Sequence, residues 1–344
     1  MGVDLRKVAA RAGVATSTAS RALSGSTRVH PETRARVVAA AQALGYRPNA
    51  NARALRTARS QFAGLVVTNL LNASFHVIAE VVQRQLASEG FQMLLSVTGG
   101  DPEQERLAVR VLSEHSAAGV IFVGSDAKAS EAAHRDGLPV VHLARRPEGQ
   151  NTGDCVLGDE LVGARTATEH LISLGHKRIA IIAGPSDVLS GRERMQGFRL
   201  AMAEAGLPVA DDLVISGPLL PETGADAVTS LLALPARRRA TALVVANHEA
   251  SFGVLPRLQE SGVRVPDELS VVAVEDSQLL RWWHPPITVI DNNAAQMGEL
   301  ATRLLLTRIN GSGATSSGHD YRVGTRLLER ASCAAPARQR SRRP

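Results

Sequence analysis

Residues 4–23 read DLRKVAARAGVATSTASRAL, and this stretch decides how the amino-terminal part of the chain folds. Apolar residues recur at the spacing of a helix: Leu5, Val8, Ala9 and Ala12. Asp4 can cap the start of that helix, and Gly13 permits the positive φ angle that ends it. A second helix is predicted over roughly 16–23, crossing close to the small alanines of the first.

The second helix has a small polar and basic outer face. Ala19 and Leu23 are expected to point inward, and Thr16, Ser17 and Arg21 outward. Two short helices joined at a glycine, with such a face, fit the major groove of DNA. An ordinary helical hairpin without a nucleic-acid partner is the alternative interpretation.

A third helix is predicted over 31–44. Pro31 suits its first position, Glu32 suits the positive end of its dipole, and Gly45 suits its end. Its inward stripe is expected to consist of four residues: Val37, Ala40, Ala41 and Leu44.

Charge is unevenly distributed along the 344 residues. The first 60 residues hold eleven Lys and Arg against Asp4 and Glu32, whereas the chain as a whole carries +6. A basic head on a mildly acidic body is typical of a DNA-binding module attached to another domain.

Composition predicts a reducing, cytoplasmic location. There are two cysteines, Cys155 and Cys333, which indicates no disulfide framework. The amino terminus lacks the apolar core of a signal peptide, and no stretch approaches about 20 apolar residues, the length of a membrane span.

From residue 61 onwards, apolar strand-like runs alternate with helical patterns. The runs are FAGLVVT (62–68), FQMLLSVT (91–98), GVIFVG (119–124), PVVHL (139–143), RIAIIAG (178–184), TALVVAN (241–247) and LSVVAV (269–274). Helices are predicted over 75–88, 102–115, 127–135, 159–174 and 190–205. This alternation predicts parallel α/β sheets in two similar lobes, with a ligand cleft at the carboxyl ends of the strands.

The head resembles that of the LacI/GalR family of bacterial transcription regulators, and the rest of the chain is similar to the family's two-lobed effector domain. The resemblance implies an all-α helix-turn-helix DNA-binding head (1–46), a hinge helix and linker (47–60), and a type I periplasmic-binding-protein-like α/β domain (61–332). Residues 321–332 are expected to form the family's closing strand, and residues 333–344 a basic, disordered tail. The implied DNA-binding residues are Leu5, Thr16, Ser17, Thr18, Arg21, Asn49, Ala52 and Leu55, with Leu55 as a wedge in the minor groove.

The head departs from the family pattern at three positions. Ala15 replaces the serine that caps the second helix, so that Thr16 is expected to cap instead. Ala19 stands where the family has valine, and His30 where it has serine.

The resemblance also implies effector-binding residues. The family's R-x-x-G-F pattern begins at Arg194, and Asn247 and Glu275 match two further ligand contacts. Additional candidates are Thr68, Asn69, Phe75, Arg145 and His248; the first four are equally interpretable as capping or interface residues. His248 and Glu275 both replace a usual aspartate, and the histidine favours an acidic or phosphorylated sugar.

These observations predict a repressor whose affinity for a palindromic operator is controlled by a sugar, sugar acid or sugar phosphate. A homodimer is expected because one short recognition helix reads few bases. The alternatives are a solute-binding protein or a sugar-processing enzyme that uses the same cleft. No enzyme motif, metal spacing or cofactor is indicated. Trp282 and Trp283 are interpreted as part of a subunit or lobe contact.

Overall fold

The structure, a computed structural model, describes residues 4–23, 26, 28–46, 60–147, 149, 153–311 and 318–336. The chain divides into two compact units between Gln61 and Phe62. The predicted hinge residues Asn49, Ala52 and Leu55 lie outside the described residues.

The described part of the amino-terminal unit consists of three helices: α1 (Leu5–Ala12), α2 (Thr16–Leu23) and α3 (Pro31–Ala43). The Asp4 carboxylate accepts from the backbone N–H of Lys7 at 3.0 Å, and Gly13 adopts a φ of 63°, as predicted. The buried side chains are small: Val8, Ala9, Ala12, Ala19, Ala22, Val29, Val37, Ala40 and Ala41. Two details differ from the prediction. Ala22 is buried whereas Leu23 is only half-buried, and α3 ends before Leu44.

The second unit contains two α/β lobes. The elements of lobe 1 are β1 (Phe62–Val67), α4 (Ala73–Ser88), β2 (Gln92–Val97), α5 (Pro102–Glu114), β3 (Val120–Phe122), α6 (Ala127–Arg135), β4 (Val140–Leu143), β5 (Asp154–Gly158), α12 (Ala294–Ile309) and β11 (Asp320–Val323). Those of lobe 2 are α7 (Glu160–Ser173), β6 (Ile179–Ile182), α8 (Leu189–Glu204), β7 (Val214–Ile215), α9 (Pro221–Ala233), β8 (Ala242–Val245), α10 (His248–Glu260), β9 (Ser270–Val274), α11 (Gln278–Trp282), β10 (Thr288–Asp291) and β12 (Arg326–Leu328).

Both sheets have six strands and the same topology. Lobe 1 has the order β11-β5-β4-β3-β1-β2 and lobe 2 the order β12-β10-β9-β8-β6-β7. The pairs are parallel except for β10 with β12. The strand order reverses between β1 and β3 and between β6 and β8, and ligands of doubly wound sheets bind at such switch points.

Each sheet is covered on both faces. In lobe 1 one apolar cluster lies beneath α4 and α12 and another beneath α5 and α6. In lobe 2 the corresponding clusters lie beneath α9 and α10 and beneath α7 and α8. The fully buried strands are runs of Val, Ile, Leu and Ala, which is typical of parallel sheets and accommodates the low aromatic content.

Within the described residues the chain passes between the lobes at three places: after β5, after β10 and after β11. The passages contact one another, since Asp159 donates its backbone N–H to the Val323 carbonyl at 3.1 Å. The Asn293 amide, on a residue with a φ of 53°, donates to the Gly324 carbonyl. Three adjacent connecting segments allow the lobes to rotate about a common hinge region.

The carboxyl-terminal prediction needs two corrections. The stretch 321–332 was expected to form one closing strand, but it supplies β11 to lobe 1 and β12 to lobe 2. The ordered chain also continues past residue 332. Cys333 donates to the Val271 carbonyl, and the Ala334 carbonyl is 2.9 Å from Nε2 of His176. Residues 333–336, which the prediction assigned to the tail, therefore pack on the end of the lobe 2 sheet.

Candidate functional site

The candidate DNA-reading surface is the outer face of α2. Thr16, Ser17 and Arg21 are exposed and Thr18 is half-buried, while Ala19 on the opposite face is fully buried. The close crossing with α1 depends on Gly13, which donates its backbone N–H to the Ala10 carbonyl at 3.2 Å. This arrangement presents hydroxyl groups and one guanidinium on a short helix, which is the chemistry that reads base edges and phosphates.

Two head residues lie in positions that differ from expectation. The Ala15 carbonyl accepts from the N–H groups of Thr18 and Ala19 at 2.9 and 3.0 Å, so Ala15 is the N-cap and Thr16 is the first helical residue. Thr16 is thus not the cap, and its exposed hydroxyl is available to a partner. Leu5 is half-buried against the three-helix core, which limits the surface that it presents to DNA.

The second candidate site is the cleft at the carboxyl ends of the strands of both lobes. The R-x-x-G-F motif explains how Arg194 is placed there. A side chain at Gly197 would lie 2.1 Å from the Leu161 carbonyl, so glycine lets α8 pack directly on α7. Phe198 fills the core beneath, and Arg194 then pairs with Glu160, its Nε lying 2.7 Å from Oε2.

The Arg194 guanidinium is charged and is fixed in position by its ion pair with Glu160. Burial opposes its charge, but the carboxylate of Glu160 outweighs burial and raises the pKa of the guanidinium. Its Nη1 is buried and has no hydrogen-bond partner among the described residues. A buried donor without a partner is costly, which favours a ligand acceptor at this atom.

One carboxylate joins the two lobes. Asn72 caps α4 of lobe 1 and donates its amide to Oε1 of Glu249 at 3.1 Å. Asn247 caps α10 of lobe 2 and donates to Oε2 of the same carboxylate at 2.7 Å. Both asparagines follow strands that lie beside the switch points. The same two side chains therefore cap a helix in each lobe and join the lobes through Glu249.

Glu275 forms a second junction. It follows β9 with a φ of 70°, an uncommon conformation for a residue other than glycine. Its Oε2 accepts from the Ser74 hydroxyl at 3.1 Å, and the Asn292 amide donates to the same hydroxyl at 2.9 Å. Burial, with the nearby charge of Glu249, raises the pKa of Glu275 to about 8. At neutral pH this group is therefore largely protonated and can donate a hydrogen bond.

Replacing Glu275 with glutamine should change how stability depends on pH. Because the pKa of Glu275 is raised from 4.5 to about 8, folding binds a proton, and this contribution to stability is lost as the pH rises through about 8. The difference in unfolding free energy, Glu275→Gln minus wild type, should grow by a few kcal/mol between pH 5 and pH 9. Urea denaturation across this range measures it, and parallel pH profiles would contradict the shifted pKa.

His248 does not provide the cation that the sequence suggested. It is 1% exposed and packs edge-on against Phe252, with ring centroids 4.9 Å apart. Burial lowers the pKa of its imidazole, so it is neutral at pH 7. This environment disfavours the charged ring, so the predicted preference for an acidic ligand has no support from a charge on His248.

The remaining candidates occupy different positions. Thr68 is buried at the end of β1, and its hydroxyl has no partner among the described residues. The Asn69 side chain accepts from the backbone of Leu71 and Asn72, which is a capping role. Phe75 is 6% exposed and belongs to the lobe 1 core.

Arg145 lines a cavity of about 720 Å³ between the lobes. The cavity walls are formed by the segments that follow β3 and β4 of lobe 1 and by the segment that precedes α8 of lobe 2. Glu105, on α5, supports the first wall. It is fully buried, and its Oε2 accepts from the backbone N–H groups of Ser125 and Asp126 at 3.1 and 2.8 Å.

Sequence reasoning missed four residues of this site: Ser74, Glu105, Glu160 and Asn292. Glu160 and Asn292 follow strands that were not predicted, β5 and β10, so the strand-end rule was not applied to them. Ser74 stands in the first turn of α4, where no sequence pattern marked it as part of a site. Glu105 lies in a helix rich in charged residues, where nothing in the pattern distinguishes a buried acid from exposed ones.

The fold and site define a class: a helix-turn-helix head joined to a two-lobed, ligand-binding α/β domain. The family model for bacterial regulatory proteins of the lacI family matches residues 4–49. The model for the periplasmic binding protein-like domain matches residues 168–333. The chain belongs to the LacI family.

Relatives over most of the chain support this assignment. The HTH-type transcriptional repressor PurR of Vibrio parahaemolyticus serotype O3:K6 is 32% identical, covering 89% of this chain and 91% of that protein. Its counterpart from Mannheimia succiniciproducens is also 32% identical with the same coverage. The chain is accordingly a DNA-binding transcriptional regulator and not an enzyme.

Solved structures give the same result. The transcriptional regulator CelR in complex with cellobiose is 32% identical, with a TM-score of 0.71 over 96% of this chain and 99% of that one. The lac repressor dimer bound to operator and the anti-inducer ONPF is 25% identical, with a TM-score of 0.83 over 97% and 100%. In the described part of the chain, no helix is long and apolar enough to span a bilayer.

Proposed function

We propose that this chain is a homodimeric repressor whose affinity for a palindromic operator is set by a sugar or sugar-derived metabolite bound between the lobes. The observation that carries the proposal is the Glu249 carboxylate, which is hydrogen-bonded by Asn72 of lobe 1 and Asn247 of lobe 2. A ligand that uses these groups must change the hydrogen bonds that join the lobes. Its binding energy is then coupled to the lobe arrangement.

The polar groups suit a ligand with many hydroxyls. Glu249 and the amides of Asn72 and Asn247 offer acceptors and donors, and Arg194 offers an unpartnered Nη1. Convergent amide, carboxylate and guanidinium groups bind sugars through paired donors and acceptors. The similarity to the CelR–cellobiose complex supports the same class of ligand.

The proposed route to DNA runs through the hinge, residues 47–60. In a dimer, two hinge segments lie between two heads on a two-fold operator, and a change in lobe arrangement alters their separation. We place Leu55 in the minor groove as the wedge between central base steps, with Asn49 and Ala52 beside it. A repressor bound to its operator resides in the cytoplasm on the nucleoid, which is the location that we propose.

Two measurements test this function. Selection from a random duplex pool should yield a two-fold symmetric site, and fluorescence anisotropy should then show that a metabolite changes its Kd. A coupling of about 1–3 kcal/mol corresponds to a change of about fivefold to 150-fold. Recovery of no preferred duplex sequence, with or without metabolites, would contradict the proposal.

Leu55→Ala should reduce binding to the selected operator much more than binding to random DNA. The wedge acts only where the central base step is opened, whereas phosphate contacts act on every sequence. Anisotropy with both duplexes in the same buffer measures the two affinities, and the random duplex is the internal control. Equal losses of affinity for both duplexes would contradict the role of Leu55 as a wedge.

A further inference from the structure

The interlobe cavity of about 720 Å³ contains three arginines whose surroundings differ: Arg145, Arg146 and Arg192. Arg146 pairs with Asp320, its Nη2 lying 2.6 Å from Oδ1, and also donates to the Gly153 carbonyl. Arg192 is exposed and donates to the Asp187 carbonyl at 2.7 Å. The guanidinium of Arg145, by contrast, forms no hydrogen bond or ion pair with any of the residues that the structure describes.

Arg145 is half-buried, and burial acts on its charge. Burial lowers the pKa of its guanidinium, although the charges of Glu105, Glu249 and Glu275 oppose that shift. The charge of Arg194 in lobe 2 adds to the lowering, which places the two arginines within electrostatic reach of each other. A partly buried cation without a hydrogen-bonded counter-ion is unfavourable, and an anion beside it would relieve that cost.

No acidic residue of the cleft forms a hydrogen bond or ion pair with the Arg145 guanidinium in the described part of the chain, although the glutamates act on its charge from a distance. Glu160 is committed to Arg194, and both oxygens of Glu249 accept from asparagine amides. Glu275, with its pKa of about 8, is largely uncharged at neutral pH. Glu105 has a pKa raised by burial, and one of its oxygens is committed to backbone N–H groups.

The opposite wall of the cavity includes the start of the 16-residue helix α8. It is formed by Val188, Leu189 and Ser190, with Asp187 before them and Arg192 after them. Val188 is the N-cap and its side chain cannot accept a hydrogen bond, so the first turn lacks a side-chain cap. On the same helix, the buried Nη1 of Arg194 has no partner among the described residues. Unpaired N–H groups at a helix start favour anions.

We infer that the effector carries an anionic group, a carboxylate or a phosphate, which binds to Arg145 in this cavity while its hydroxyls bind the polar groups of the cleft. The inference rests on the proposed function and narrows its ligand to sugar acids and sugar phosphates. A cavity of this volume accommodates a ligand of that size. The selectivity comes from the unpaired guanidinium and not from His248, which is neutral.

Isothermal titration calorimetry on the full chain with matched ligands tests the inference. The probes are D-glucose, D-gluconate and D-glucose 6-phosphate, and the corresponding members of the galactose and ribose series. In at least one series an anionic member should bind at least about tenfold more tightly than the neutral sugar. Comparing the sugar acid with the sugar phosphate identifies which anion the site takes.

Three variants test whether Arg145 causes the preference for the anionic ligand. Arg145→Gln should reduce affinity for the anionic member to that of the neutral sugar, and Arg145→Lys should retain part of the preference. Arg199→Gln is the matched control, because it removes an exposed arginine of α8 that does not line the cavity, and it should leave binding unchanged. An anion preference that survives in Arg145→Gln would overturn the assignment.

The outcome for the ligand class separates the inference from the proposed function. A neutral sugar that binds as tightly as its anionic relatives and shifts operator affinity would overturn the anionic class and support the regulatory function. A panel in which no probe binds or shifts operator affinity would contradict both.

Discussion

Replacing Arg194 with alanine should abolish the ligand-dependent rise in melting temperature while ligand-free operator binding persists. Arg194 is 5% exposed, is fixed by Glu160 at 2.7 Å, and has a buried Nη1 for which the described part of the chain supplies no partner. A ligand at one hundred times its Kd stabilises the folded protein by about 2.7 kcal/mol, and the variant should lose that stabilisation. Differential scanning fluorimetry with and without the effector measures it.

The alanine variant also leaves the Glu160 carboxylate without its partner, so its ligand-free melting temperature should fall as well. Operator binding without ligand distinguishes a folded protein that has lost its ligand from a protein that has unfolded. Arg199→Ala, an exposed arginine later on the same helix, is the matched control and should respond normally. A full ligand response in Arg194→Ala would remove Arg194 from the site.

The second large effect is expected at Arg21. Arg21→Ala should weaken operator binding by about fivefold to 150-fold, since a contact to a base edge or phosphate is worth roughly 1–3 kcal/mol. Ligand affinity should not change, because Arg21 belongs to the separate compact unit that ends at Gln61. Anisotropy gives the operator Kd, and calorimetry gives the ligand Kd.

The same titrations show which contact Arg21 makes. Loss of a base contact should lower the ratio of operator to random affinity, whereas loss of a phosphate contact should reduce both and lower the salt slope by about 0.9. Arg36→Ala removes an exposed arginine from α3 and serves as the control for net charge. An unchanged operator Kd in Arg21→Ala would contradict the docking of α2.

Much of the fold could be predicted because its elements have strong local patterns. The four-residue and longer apolar runs of β1, β6, β8 and β9 were all identified, as was the Gly13 turn. The elements that were missed lack such a pattern. β5 begins with an acid and a cysteine, and β10 follows two prolines. The division of 321–332 between two sheets arises from the passage between lobes, which is a tertiary feature.

The site was predictable in part for the same reason. Asn247 and Glu275 follow the recognised strands β8 and β9, so their positions at the carboxyl ends of the sheet could be predicted by the strand-end rule, while their contacts with a ligand stay a prediction. Their functions depend on partners that the rule does not supply: Ser74 makes Glu275 part of a junction, and Glu249 connects Asn247 to Asn72. Burial then acts on charge, since it lowers the pKa of both the His248 imidazole and the Arg145 guanidinium, and the rule does not supply burial.

The central claim is that effector binding in the cleft and operator binding by the head are coupled through the arrangement of the lobes. Its most direct test is a reciprocal titration: the operator Kd is measured with and without saturating effector, and the effector Kd with and without saturating operator. Linkage requires the two ratios to be equal. We predict equal ratios that differ from one by at least about fivefold. An effector that binds in the cleft and leaves the operator Kd unchanged would contradict the account.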